Sequence, residues 1–389
     1  MVGGKNRRTP EGQVVWEKRA KRYNSVKLVL SLVHTLLGWI FLLVIVLTGV
    51  TSTIELWAHS LARSPYLALL VFGAVIGLLQ MVIFSPLSFY GGYVVEHTYQ
   101  LSNQTLASYL WEKAKALFVG AIIAAPLAAA VYYFIVTYQG RWWIPAGILL
   151  FLFSVVAGRL APTLIFPLFY RFVPVKDQNL VNLVRERCES VGMKIEGVFQ
   201  FDLSKTTRKA NAAFTGMGKS KRVILSDTLL DELNREEIDA VLSHELGHFK
   251  LKHLRKLVVF GTVSTFLGLY LVSATYGRFI DLSEFQGIDQ LAPLPVLAAL
   301  VSFYSFVMGP VQNMVSRFHE RAADQFSTRL VGDPAPMIAA LNGLAERNLA
   351  DRDPHPIVEF LFHSHPSVRH RIERLQGRPP GVVQTKPDS

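Results

Sequence analysis

Five uncharged runs, Leu28–Ile54, Ser64–Val95, Ala116–Gly140, Leu257–Gly277 and Gln290–Ser316, frame what this chain can become. Each exceeds the roughly 18 to 20 apolar residues that a helix needs to cross hydrocarbon. A sixth stretch, Trp142–Phe172, is apolar apart from Arg159 and Arg171, and Pro162 and Pro167 are placed to kink it. A chain of 389 residues that is 51% apolar, with mean hydropathy +0.31, fits a membrane protein better than a soluble one. The first run is too long for a signal-peptide core and no small-residue cleavage site follows it, so it is expected to remain as an anchor.

Charge sets the expected orientation. Residues 1–27 form a basic leader with eight Lys and Arg, which predicts a cytosolic N-terminus. Six spans return the C-terminus to the same side, and the long polar segment 173–256 falls there too. The alternate loops agree: 55–63 and 139–143 hold one arginine each, and 279–292 holds only Asp281, Glu284 and Asp289. The net charge of +11 is then explained by topology and by attraction to anionic headgroups of the lipid bilayer; no nucleic-acid-binding motif accompanies it, and no nucleic-acid partner is expected. Cys188 has no cysteine partner and reads as an interior residue. The sequon at Asn103 falls on the cytosolic side and is expected to be unmodified.

The expected fold is mainly α: a multi-span transmembrane helical bundle enclosing a chamber, with a cytosolic zincin-like metallopeptidase domain containing a small β-sheet. Its predicted parts are the leader 1–27, spans 1–4 in 28–172, a metallopeptidase segment 173–252, spans 5–6 in 253–318, a C-terminal catalytic segment 319–375 and a disordered tail 376–389. In the first polar segment, "NLVNLVRERCESVG" places Leu180, Leu183, Val184, Cys188 and Val191 at helical spacing before a glycine stop at Gly192. "GVFQFDLS" and "NAAFTG" read as strands, and "GMGKSK" links the second to "RVILS". A helix then starts at Asn234, whose side chain can cap backbone amides while Glu237 completes a capping box.

On that helix lies "LSHELGHFK". His244 and His248 are one turn apart, so both imidazoles project from one face and can reach one ion, with Glu245 beside them. By composition, such an H-E-x-x-H match arises by accident in about one chain in a hundred of this length, so context decides. The second helical motif, "SRFHERAADQF", supplies a third ligand, Glu320, and completes a His2Glu set with an open position for water. One zinc ion there would bring water's pKa to about 7, and Glu245 would accept its proton as general base in peptide hydrolysis. His319 is the rival ligand, pointing about 100° away from Glu320 on a helix. Asp324, one turn after Glu320, could hydrogen-bond a ligating histidine or shuttle a proton. "HSHPSVRHRIERL" offers His365 and Arg371 as a donor and a fixed cation for an oxyanion, although taken alone the run reads as a basic helix start. His34 and His97 read as structural residues.

From about Phe84 to Leu375 the chain resembles the type I CAAX prenyl proteases, integral-membrane zinc peptidases that trim prenylated proteins. The matching motifs, in order, are "SPLSFYGGYVVEHTYQLSNQT", "PLFYRFVPV", "NAAFTGMGKSKRVILSDTLL", "HELGH", "ERAAD" and "SHPSVRHRI". The resemblance implies zinc on His244, His248 and Glu320, base catalysis by Glu245, and a proton-donor or supporting role for Asp324. It also implies that His365 and Arg371 hold the substrate or its oxyanion, and that Asn211, Ala212, Ala213 and Phe214 form an edge strand pairing with the substrate backbone. A large water-filled intramembrane chamber follows too, with Arg159 either lining it or snorkelling to a headgroup. The familiar eukaryotic members have seven spans where this chain shows six.

The expected function is therefore that of a membrane-embedded zinc metalloendopeptidase, CAAX prenyl-protease-like, acting on a peptide or protein that is prenylated on that reading. Two alternatives stand beside it. One is quality-control proteolysis of membrane proteins, as in heat-shock-associated membrane zinc proteases; the other is a non-catalytic scaffold or transporter, against which the retained Glu245 argues, since a structural zinc needs no base.

Overall fold

The structure, a computed structural model, describes residues 10–215 and 221–377. Six helical stretches are long and apolar enough to cross a membrane: Glu11–Leu47, Pro65–Thr98, Leu106–Arg141, Trp143–Phe169, His253–Leu282 and Leu294–Val331. The chain is a multi-pass membrane protein. Helix α1 (Pro10–Leu47) turns at Gly49, which takes φ +72 at little steric cost, into α2 (Val50–Leu61). The first apolar run, 28–54, is thus one span plus the start of a second helix.

Helix α3 (Pro65–Phe89) continues through a π-turn, Tyr90–Val94, into α4 (Val95–Thr98). Next comes α5 (Leu106–Tyr138), capped by Thr105, whose hydroxyl accepts from Ser108 N. Helix α6 (Trp143–Leu160) passes through a second π-turn, Ala161–Ile165, into α7 (Phe166–Phe169). Pro162 and Pro167 fall there, where the regular ladder gives way. Arg159 lies exposed in the last turn of α6.

The polar segment carries α8 (Gln178–Ser190), capped by Asp177, then α9 (Asp227–Glu232) and α10 (Arg235–Lys250), the last with the Asn234–Glu237 capping box formed in full. Its four-stranded sheet has the order β1 (Phe172–Pro174), β2 (Gly197–Phe201), β4 (Arg222–Ser226), β3 (Ala212–Thr215). β2 and β4 are parallel and the other pairs antiparallel, so β3 is an edge. The β3–β4 link, residues 216–220, lies outside the described residues, as do 1–9 and 378–389, on which most of the expected tail falls.

The chain ends through α11 (His253–Leu282), α12 (Leu294–Val331), α13 (Ala335–Asn348), α14 (Pro356–Phe362) and α15 (Val368–Leu375). Helix α12 passes residue 318 without a break, so the "ERAAD" turns are a rigid continuation of the last span. Likewise α1 passes residue 27 unbroken, and its Trp16, Ala20 and Tyr23 are buried against Val95, Leu101 and Leu349. The basic leader is therefore part of the packed molecule from Trp16 onward.

Two main cores sit at opposite ends. One joins the ends of the spans away from the sheet, with Ala58, Ala68, Ile135, Trp142, Ala146 and Tyr276 nearly fully buried. Glu55 of α2 closes that end by accepting from Leu291 N and Ala292 N at 2.9 and 3.1 Å. The other core places Val223 and Leu225 of β4 against Val184 and Cys188 of α8, Leu242 and Leu246 of α10, and Ala340 of α13. Between them the spans bury little; none of the central window of Trp143–Phe169 is buried. Helices joined at one end and capped at the other enclose a chamber. Burial also pushes the Cys188 thiol up to about 11, in keeping with an inert interior role.

A polar hub ties the halves together. Glu96 lies 2.9 Å from Lys27 Nζ and 3.3 Å from Lys209 Nζ, and accepts from Tyr23 Oη at 2.8 Å. Lys209 immediately precedes the segment leading into β3, so this hub fixes the edge strand relative to the spans. Asn103 serves the same junction, donating to Ser204 O at 2.8 Å. His97 is structural, with both ring nitrogens 2.8 Å from backbone carbonyls.

Candidate active site

Two helices build the site. Helix α10 turns Ile238, Leu242 and Leu246 into the sheet core and leaves its opposite face for α12. Close approach is possible because position 247 is glycine: a Cβ there would lie 3.1 Å from Ala323 Cα and 3.2 Å from Phe326 side-chain atoms. Ser327 Oγ donates to Ala240 O at 2.8 Å and pins the crossing one turn away. Gly247→Val is expected to force the helices apart, costing about 1–3 kcal/mol of stability by overpacking and lowering metal affinity at least tenfold. Thermal unfolding and metal titration of the purified variant check this.

The crossing brings Glu320 over the two histidines. His244 Nε2 is 3.3 Å from Glu320 Oε2, His248 Nε2 is 3.3 Å from Glu320 Oε1, and the two Nε2 atoms are 3.2 Å apart. Ligand atoms of all three residues lie within 4.8 Å of one another, the only such group found among the described residues. Glu320 is 4% exposed, with its carboxylate 2.8 to 3.3 Å from ring nitrogens of His244, His248 and His365, and a charge so buried requires positive charge beside it. The residues fit a divalent metal. The rival His319 instead stacks on His253, ring centroids 4.2 Å apart at 21°.

Around this group stands a supporting layer. Asp324 Oδ1 is 2.8 Å from His244 Nδ1, and Arg371 holds the same carboxylate with two nitrogens, Nη2 to Oδ1 at 2.6 Å and Nε to Oδ2 at 2.9 Å. Sequence reasoning paired Arg371 with His365 as oxyanion donors; in the structure the guanidinium is bidentate on Asp324, while His365 Nδ1 reaches Glu320 Oε2 at 2.8 Å. His365, with its side chain 62% exposed, stands at the mouth of the site. Glu245 is half-buried on the same turn as His244. Asn211 and Ser226 face each other where β3 begins, Ser226 N donating to Asn211 O at 2.9 Å.

His253 was not anticipated. Its Nδ1 lies 3.1 Å from His248 Nδ1, and it is 2% exposed. The residue was visible five positions after His248, but Lys252 between them takes φ 57 and breaks the helix, so no helical projection could place it.

Burial opposes charge on His244, but Asp324 and then Glu320 outweigh it and hold the imidazole at about 9. A raised folded pKa means that this contribution to stability is complete below about 6.5 and is lost as pH rises through about 9. Metal must displace that proton. The affinity for metal is therefore expected to rise by up to tenfold per pH unit toward pH 9, measurable by competition with a chelator.

A helical bundle crossing the membrane several times, carrying an H-E-x-x-H helix under a carboxylate from its last span, defines a membrane metallopeptidase. The chain belongs to peptidase family M48: that family's profile matches residues 174–379, and the profile described as CAAX prenyl protease N-terminal, five membrane helices, matches residues 16–171. It is 32% identical to a CAAX prenyl protease 1 homolog of Arabidopsis thaliana over 75% of this chain and 69% of that protein. It is 29% identical to the uncharacterized metalloprotease YhfN of Bacillus subtilis (strain 168), over 92% and 84% of the two chains. The crystal structure of S. mikatae Ste24p shares the fold, with TM-score 0.82 and 23% identity over 92% of this chain and 88% of that one.

Proposed function

We propose that this membrane metalloendopeptidase uses zinc and processes prenylated, CAAX-type protein C-termini delivered from the cytosolic side. The observation that carries the reading is the convergence of His244, His248 and Glu320 beside Glu245, in a chain with six helices long and apolar enough to cross a membrane. His244, His248 and Glu320 would hold the ion. When bound, zinc supplies Lewis-acid chemistry, polarising a carbonyl and bringing the pKa of a water to about 7.

Glu245 takes one proton from the attacking water and returns it to the departing amine nitrogen as the C–N bond breaks. His365, at the mouth, donates to the oxygen that becomes negative at the tetrahedral stage. Asp324 and Arg371 position His244 rather than touch the substrate. The eight basic residues of 1–27 support a cytosolic N-terminus, from which six spans would put the site on the same face.

The substrate backbone pairs with β3. Because Asn211 and Ser226 bond each other, alternation leaves the amides of Ala212 and Phe214 pointing off the sheet edge. Ala212→Pro removes one outward N–H without touching the β4 ladder, and is expected to raise KM by about 2- to 10-fold, the worth of one hydrogen bond, with kcat little changed. The deciding assay compares one peptide with and without a C-terminal farnesyl cysteine on zinc-loaded enzyme. Zinc-dependent cleavage of the farnesylated peptide alone is expected. Equal cleavage of both would point to quality-control proteolysis, and cleavage of neither by the loaded enzyme would defeat the reading.

A further inference from the structure

A cavity of about 480 Å³ opens between α12 and α15, with Asp324 and Arg371 both in its wall. Its lining holds four arginines, Arg321, Arg329, Arg371 and Arg374, against one carboxylate, Asp324. That carboxylate is already taken up by both nitrogens of Arg371. The side chains of Arg321, Arg329 and Arg374 have no hydrogen bond or ion pair among the described residues. The contrast with Arg317, one turn earlier, is sharp: that guanidinium donates to the carbonyls of Glu359, Phe360 and His363.

Four guanidinium groups share this cleft with one carboxylate, which Arg371 holds with two nitrogens, so the lining is net positive. Burial, and next the charge of Arg321, lower the Arg374 guanidinium from its ordinary value, against the opposing charges of Glu359 and Asp324. Guanidinium groups that line one cavity from two helices suit the oxygens of a phosphate, which they bind in forked pairs. Depth matters as well. Arg321 lies five residues beyond Ser316, where the last apolar run ends, so about 8 Å along the helix and within reach of headgroups.

We propose that this arginine cavity is a binding site for a phosphate-bearing anion, supplied either by a lipid headgroup or by a soluble phosphate. The anion bridges Arg321 on α12 to Arg374 on α15 and locks the two helices that carry Asp324 and Arg371. The site does not depend on the peptidase reading, and its test needs no substrate.

Thermal unfolding of the full-length protein in detergent is followed against inorganic phosphate, with ionic strength held constant by chloride. A saturable rise in Tm of roughly 3 °C is expected. Phosphate also stabilises folded proteins by exclusion, so an equal rise in Arg321→Gln/Arg374→Gln would overturn the site, while a rise retained by Arg185→Gln/Lys194→Gln and lost only in the cavity variant supports it. Gln325→Glu covers the case in which that double variant does not fold. Its new carboxylate should raise Tm without phosphate and abolish the phosphate response; an unchanged response overturns the proposal. Nanodiscs of phosphatidylcholine with and without phosphatidate separate the sources. A phosphatidate-dependent rise that Gln325→Glu loses identifies a headgroup, a response to free phosphate alone identifies a soluble anion, and a response to neither overturns the inference.

Discussion

Glu245→Gln is expected to cut peptide cleavage by about 10²- to 10⁴-fold while zinc content and thermal stability stay at the level of the unaltered enzyme. The amide keeps the size and hydrogen-bonding reach of the carboxylate but cannot take a proton from water. Glu245 is half-buried and lies in the chain between His244 and His248, without belonging to the converging group. The loss should therefore appear in kcat rather than KM, because the group acts on the reacting water and not on the peptide. Metal analysis on the same preparation separates this from a site that has emptied. Full activity with zinc bound would remove Glu245 from the mechanism.

The second large effect concerns the Asp324–Arg371 pair. With side chains only 9% and 12% exposed and two bonds of 2.6 and 2.9 Å between them, the two charges chiefly compensate each other, and Asp324 also meets His244 Nδ1 at 2.8 Å. Breaking a buried pair from one side costs about 3–5 kcal/mol, because the remaining charge is stranded. Asp324→Asn should also loosen His244, whose Nδ1 lies 2.8 Å from the carboxylate, and lower zinc affinity about 10- to 100-fold. Arg371→Gln strands Asp324 instead, and the double variant should lose less stability than the two single losses added together. At saturating zinc, Arg371→Gln should keep kcat within a few-fold of the unaltered enzyme. A fall of about 10²- to 10³-fold there would instead give Arg371 the oxyanion contact that sequence reasoning assigned to it.

Much of the fold was legible because its signals are local. Apolar runs fix the spans, since a bilayer demands length and hydrophobicity whatever the rest of the chain does. The Asn234–Glu237 box and the strands around "NAAFTG" and "RVILS" likewise depend on neighbours within a few residues. What the sequence concealed lay at breaks and junctions. Gly49 splits the first apolar run, and Trp16, Ala20 and Tyr23 bind a segment that charge alone marked as a leader.

The site divides along the same line. Spacing on one helix places His244, Glu245 and His248 together, and spacing on another places Glu320 and Asp324 one turn apart, because helical geometry carries that information over short distances. Which carboxylate or imidazole of α12 meets which histidine of α10 depends on how closely the helices cross. Gly247 against Ala323 decides it, turning Glu320 inward and sending His319 to His253. Arg371, 47 residues from Asp324, is committed by a docking of α15 that no local pattern encodes. The sequence by itself determined the chemistry available and the membrane that surrounds it, since both are properties of residue type and short spacing. Only the tertiary structure decided which charges neutralise one another and which are left to meet a ligand, because that depends on contacts between segments far apart in the chain.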